Sequence, residues 1–190
     1  MTRVKGYFKP SDLPADADEV TRHELGQLFG FLFPQSAAPK LERKQAAFAV
    51  VARNPRLGLM LAQLTLFMVQ QMPWTSEHSD LRELATQTLN RHFKCNLSYE
   101  SHAESARSLG ISDEMIAATA QWRTSPLFNE EQRLIVEYTF AVIAADVPEE
   151  LFERVVAKFG ETGTVECTSG IALWAFWAMI INATCPGDLT

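Results

Sequence analysis

Apolar residues that recur every three or four positions, in segments bounded by proline or glycine, are the feature that most constrains this chain. Leu25, Leu28 and Leu32, for example, lie on one side of a predicted helix over residues 18–33. Val and Ile do not form short alternating runs, and neither Asn-Gly nor Asp-Gly occurs, so signals for β-hairpins are missing. The sequence therefore predicts an all-α fold of eight or nine helices.

Local signals place the ends of several of these helices. Gly110 suits the residue after a helix because glycine adopts a positive φ without strain, and Pro55 suits a first helical turn. Polar side chains at other starts can accept an orphan backbone N–H. The predicted caps are Ser79 or Asp80, Ser112 and Asn129. The predicted helices cover residues 18–33, 41–52, 57–71, 79–93, 96–109, 113–122, 129–145, 148–159 and 164–183.

The length of 190 residues fits one domain of ordinary size with a substantial core. Pro10 and Pro14 lie within the first sixteen positions, which are typical of an irregular arm. We expect residues 1–44 to form an N-terminal arm and helix packed on a core domain of residues 45–190.

Charge and cysteine content limit the partners and the compartment. The net charge of −6 provides no basic footprint for nucleic acid. The longest apolar stretch, residues 171–181, is shorter than the roughly 20 residues that span a bilayer, so we expect a core helix and no membrane partner. The N-terminus lacks an apolar run of signal-peptide length. Three cysteines, an odd and sparse set, favour the cytoplasm.

The residues around Cys95 are the best candidates for chemistry. Cys95, Ser98 and His102 occur at i, i+3 and i+7, on one face of a predicted helix. If Cys95 lies in the first turn, the helix dipole should lower the pKa of its thiol. Histidine exchanges protons near neutral pH, and Glu83 on the preceding helix could orient it. Such a set can supply a nucleophile or acid, a base and an orienting carboxylate.

The spacing of these residues resembles that of the carboxymuconolactone decarboxylase and alkylhydroperoxidase D family. The matching pattern is Leu81-Arg82-Glu83-Leu84, twelve residues from Glu83 to Cys95, seven more to His102, and Gly-Ile-Ser at 110–112. Ala52-Arg53-Asn54-Pro55 resembles an upstream helix boundary of the family, and the likeness covers about residues 45–183. The resemblance implies that family's helical bundle, a small-molecule substrate, no cofactor, and a homo-oligomer, as a trimer or hexamer. It also implies catalytic roles for Glu83, Cys95 and His102, with Ser98, Tyr99 and Asn182 as candidate pocket residues.

One departure from the family pattern bears on the reaction. Peroxidase members carry Cys-x-x-Cys, whereas this chain has Cys95-Asn96-Leu97-Ser98. Serine cannot form a sulfenic acid or a disulfide, so the two-cysteine cycle cannot run in that form. Either Cys167 or Cys185 could replace the missing thiol only if its Cα lay within about 7 Å of Cys95.

Three functions follow as alternatives. The first is cofactor-free acid–base chemistry, namely decarboxylation, isomerisation or hydrolysis, on a small carbonyl or lactone-type organic acid. The second is a thiol peroxidase that uses Cys95 alone, and the third is a non-catalytic helical binding protein. Glu83, His92, Cys95 and His102 match no standard zinc spacing, so we expect no metal. We interpret the apolar residues of 57–71 and of the Trp174–Trp177 stripe as core or subunit interface.

Overall fold

The computed structural model describes residues 3–184 and, within that range, contains helices and no strand. The predicted all-α fold is therefore confirmed. Three short 3₁₀ turns lie at Pro10–Asp12, Arg43–Gln45 and Thr119–Gln121. The nine α-helices of the described residues are α1 (Glu19–Leu32), α2 (Ala46–Val51), α3 (Pro55–Gln70), α4 (Pro73–Glu77), α5 (Ser79–His92), α6 (Asn96–Ser108), α7 (Asp113–Ala118), α8 (Glu130–Ile143) and α9 (Glu149–Thr184).

Backbone contacts divide the chain into two compact units. The first comprises residues up to Phe67 together with those from Ile180 onward, and the second is Met68–Met179. The candidate residues Glu83, Cys95 and His102 all belong to the second unit. The boundary that the sequence suggests near residue 45 remains a prediction.

In the first unit, α1 and α2 pack with the N-terminal arm. Leu25, Leu28 and Phe29 of α1 form a buried cluster with Tyr7 and with apolar residues of the segments that follow. The Tyr7 N–H donates to the carbonyl oxygen of Ala49 at 2.7 Å. The sequence predicts a helix over 41–52, but a 3₁₀ turn replaces its first part and the α-helix starts at Ala46.

In the second unit, α5 lies between two apolar clusters. Leu81 and Ala85 contact residues of α4, α8 and α9, while Leu84 belongs to a cluster with residues of α6, α7 and α8. Every residue from 83 to 90 is consequently buried, polar ones included. This central position of α5 determines the environment of the candidate site.

The helix α9 is interrupted where the sequence predicts two helices. Gly160 has φ 71° and ψ 171°, which is not helical, so residues 149–159 and 161–184 are separate helical segments. By length and composition alone, α9 is the one helix among residues 3–184 that could cross a membrane, with 56% of its apolar window buried. The same length and composition are typical of a core helix.

Candidate functional site

Helix α5 carries the carboxylate of the candidate site into the protein interior. Glu83 is 1% exposed, although it lies off the line of apolar residues that includes Leu81 and Leu84, where a helix charge is usually solvated. The apolar clusters on both sides of α5 account for the difference, because they enclose residues 83–90 of this helix. A buried carboxylate is unfavourable unless polar groups pair with it, so its partners matter.

The partner of Glu83 is His102, which lies nearly two turns into α6. The Nδ1 atom of His102 is 2.9 Å from Oε1 and 3.2 Å from Oε2 of Glu83. The Ser105 hydroxyl donates to Oε2 at 3.5 Å. Helices α5 and α6 pack directly against each other, and this packing brings together the two residues whose pairing the sequence predicts.

The contact with Glu83 also assigns roles to the two ring nitrogens of His102. When Nδ1 carries a proton that it donates to the carboxylate, the neutral ring has Nε2 as its acceptor. Nε2 makes no hydrogen bond to another residue of the described chain, and the His102 side chain is 34% exposed. The arrangement thus gives a buried acid group and a partly exposed imidazole whose second nitrogen has no partner among the described residues.

Cys95 differs from its prediction in both position and acidity. It is the residue before α6, with φ −87° and ψ 79°, rather than a residue of the first turn. Burial raises the pKa of the Cys95 thiol above its ordinary value of 9.0, and the backbone N–H of Ser98 opposes this by a smaller amount. The expected lowering of the pKa is therefore wrong, because desolvation of a fully buried sulfur outweighs the favourable helix end.

The remaining candidate residues lie in different places. Ser98 and Tyr99 are half-buried on α6, and the Tyr99 carbonyl accepts a hydrogen bond from Gln87 at 3.2 Å. Asn182 is exposed near the end of α9 and belongs to the first unit, whereas the other candidates belong to the second.

The other thiols provide no described partner for Cys95. Cys95 and Cys167 are both free and buried, and burial strongly raises the pKa of Cys167. Cys185 lies outside the described residues. Within residues 3–184, no group of three or more His, Cys, Asp or Glu side chains could hold a metal ion.

Sequence reasoning missed two buried amides on α5. Gln87 and Asn90 are almost fully buried, and Asn90 donates to the Gln87 side-chain oxygen at 3.4 Å. The Oδ1 atom of Asn90 has no hydrogen-bond partner. The available signal was the density of Thr, Gln and Asn on a helix whose neighbours are strongly apolar.

Comparison with known proteins identifies one similar sequence of unassigned role. The chain is 40% identical over 70 residues to the uncharacterised protein YnjA of Escherichia coli strain K12. The match covers 36% of this chain and 38% of that protein. No family model matches the chain, and no solved structure matches it.

Proposed function

We propose that the protein is a cofactor-free acid–base enzyme in which His102 transfers protons and Glu83 orients it. The substrate would be a small carbonyl or lactone-type organic acid, and the reaction a decarboxylation, isomerisation or hydrolysis. The 2.9 Å contact between Nδ1 of His102 and the buried Glu83 carboxylate carries the proposal. It also supports the resemblance to the carboxymuconolactone decarboxylase and alkylhydroperoxidase D family as a proposed relationship.

The geometry supports a simple proton cycle. The Nε2 atom of His102 would accept a proton from substrate carbon or from water, and the Glu83 carboxylate would stabilise the imidazolium that forms. The same nitrogen would then return the proton to the product. A carboxylate that is 1% exposed and bonded to an imidazole is typical of such a positioning role.

A peroxidase that relies on Cys95 has less support. Reaction with a peroxide requires the thiolate, and burial raises the pKa of this thiol. Cys95 is instead suited to remain a neutral thiol, which can act as a weak hydrogen-bond donor.

Deuterium incorporation tests decarboxylation and isomerisation, and opening of the lactone to a hydroxy acid in the same spectra tests hydrolysis. Small lactones and 3-oxo acids would be incubated with the protein in D₂O, and deuterium incorporation followed by ¹H NMR. We expect exchange to fall by at least about a hundredfold in His102→Ala and clearly in Glu83→Gln. His92→Ala, which removes an exposed imidazole, is the matched control. Equal exchange in the protein and in His102→Ala would contradict the assignment.

The proposal includes a homo-oligomer of a trimeric or hexameric kind and a cytoplasmic location, without nucleic-acid or membrane partners. The exposed side chains of Leu57, Met60, Leu64 and Phe67 support the oligomer. They recur at intervals of three and four residues on α3, and we call them the α3 stripe. Such a stripe can pack against a second helix.

A further inference from the structure

A cleft beside the start of α6 has the features of a ligand site. It measures about 450 Å³, within the range of small-molecule pockets. Its lining comes from the end of α5, the connection between α5 and α6, and the first turns of α6. The lining residues are Asn90, Arg91, Lys94, Asn96 and Tyr99.

The charge of the cleft is opposite to that of the whole chain. Arg91 and Lys94 line it and no acidic residue does, although the net charge of the protein is −6. Neither side chain forms an ion pair with a carboxylate of residues 3–184. Both are exposed, so their donors are available to a bound anion. A planar guanidinium next to an ammonium suits a carboxylate.

The side-chain amide of Asn90 provides a second, independent observation, namely a buried oxygen without a hydrogen-bond donor. Asn90 is 1% exposed, and its Oδ1 atom has no donor. Its Nδ2 atom donates to Gln87, which in turn donates to the Tyr99 carbonyl. This chain of amides fixes which end of the Asn90 side chain is left without a partner. Buried acceptors normally have a donor, and Asn90 lines the cleft, so an O–H or N–H of a molecule bound there would satisfy this oxygen.

From these observations we infer that the cleft binds a small 2-hydroxy acid. The carboxylate would lie between Arg91 and Lys94, and the hydroxyl would donate to Oδ1 of Asn90. The half-buried ring of Tyr99 would contact the remainder of the ligand. The inference concerns binding alone and goes beyond the proposed function, because it does not depend on proton transfer by His102.

Two probes that differ by one hydroxyl test the inference. Mandelate and phenylacetate share a carboxylate and an aromatic ring, and only mandelate carries the 2-hydroxyl group. Both would be titrated into the full chain by calorimetry, with the side-chain amide signal of Asn90 followed by ¹⁵N NMR. We expect mandelate to bind at least about fivefold more tightly than phenylacetate and to shift that signal, because only mandelate satisfies Oδ1.

Charge variants distinguish specific binding in the cleft from nonspecific electrostatic attraction of the anionic probes. Arg91→Gln and Lys94→Gln should each weaken both probes by about tenfold. Arg56→Gln removes the same charge from an exposed residue of α3 that does not line the cleft, and it should leave both affinities unchanged. His102→Ala should also leave binding unchanged, which separates this inference from the proposed function. Equal affinities for the two probes, or no binding of either, would overturn the inference. An equal loss of affinity in Arg91→Gln and Arg56→Gln would also overturn it.

Discussion

The residues of the candidate site combine one buried acid with one accessible base. Glu83 gains its only described side-chain partners, His102 and Ser105, from α6. Because the carboxylate pairs with Nδ1, the opposite nitrogen makes no hydrogen bond to the described residues. The proposed proton transfer depends on this second nitrogen, Nε2.

Cys95 should behave as an unreactive thiol in the folded protein. Burial raises its pKa, so the thiolate fraction at any pH below 9 is smaller than in an unfolded chain. We expect alkylation by iodoacetamide at pH 7 to be at least about a hundredfold slower than in the denatured protein. The folded-state rate should continue to rise beyond pH 9, since that is where the thiolate forms.

Peptide mapping by mass spectrometry would report Cys95 separately from Cys167 and Cys185. The denatured chain provides the reference rate for the same cysteine. If Cys95 in the folded protein were alkylated at pH 7 as fast as in the denatured protein, its sulfur would be accessible. That result would favour the peroxidase alternative.

Sequence spacing was sufficient to pair Glu83 with His102 but not to describe their surroundings. The pairing follows because Glu83 and His102 lie on consecutive helices, α5 and α6, that pack against each other. The burial of Glu83 and the acidity of Cys95 depend instead on which clusters pack around α5 and on the end of α6. Those are tertiary properties. The helix end at Cys95 favours a lower pKa, whereas desolvation raises the pKa and has the larger effect.

At the level of elements, the most predictable features were the helix termini that are fixed by a local cap or glycine. Gly110 has φ 80°, and Ser112 accepts from the Met115 N–H at 3.2 Å, as predicted. Asn129 forms a reciprocal capping box with Gln132. The predicted cap at Ser79 or Asp80 is wrong, since α5 starts after His78, which makes no capping bond through its side chain. The ring of His78 packs against Trp74 and Phe159.

Gly160 should be the glycine at which an added methyl group is most costly for backbone reasons alone. Its φ of 71° with ψ of 171° is a conformation that essentially only glycine adopts. An added Cβ would meet no atom within 4 Å, so the effect isolates the backbone. We expect Gly160→Ala to lower the free energy of unfolding by about 1–3 kcal/mol, as measured by urea denaturation.

The matched control is Gly26→Ala within α1. An added Cβ there also meets nothing within 4 Å, and Gly26 lies inside a regular helix. Alanine at this position should raise the free energy of unfolding by up to about 1 kcal/mol. If both alanine variants changed the free energy of unfolding in the same direction, this would argue against the interruption at Gly160.

For the whole molecule, the α3 stripe predicts self-association. Met60 is 61% exposed, and an apolar side chain of this kind gains free energy when a second subunit covers it. Met60→Glu would place a charge in the proposed interface and should shift sedimentation toward a particle of 21.3 kDa.

Gln121→Glu is the control for this change. Gln121 is exposed in the 3₁₀ turn Thr119–Gln121 and is not part of α3, so the same added charge should leave the assembly intact. A wild-type protein that sediments as a 21.3 kDa particle at all concentrations would refute the proposed oligomer.

The burial of residues 83–90 of α5 has a consequence for hydrogen exchange in this helix. Amide protons exchange with solvent through local opening, and segments that are enclosed by the core open last. The backbone amides of residues 83–90 should therefore rank among the slowest to take up deuterium. A fluctuation that frees Glu83 from its surroundings would then require disassembly of the helices around it, so its alignment with His102 would persist for as long as that unit stays folded.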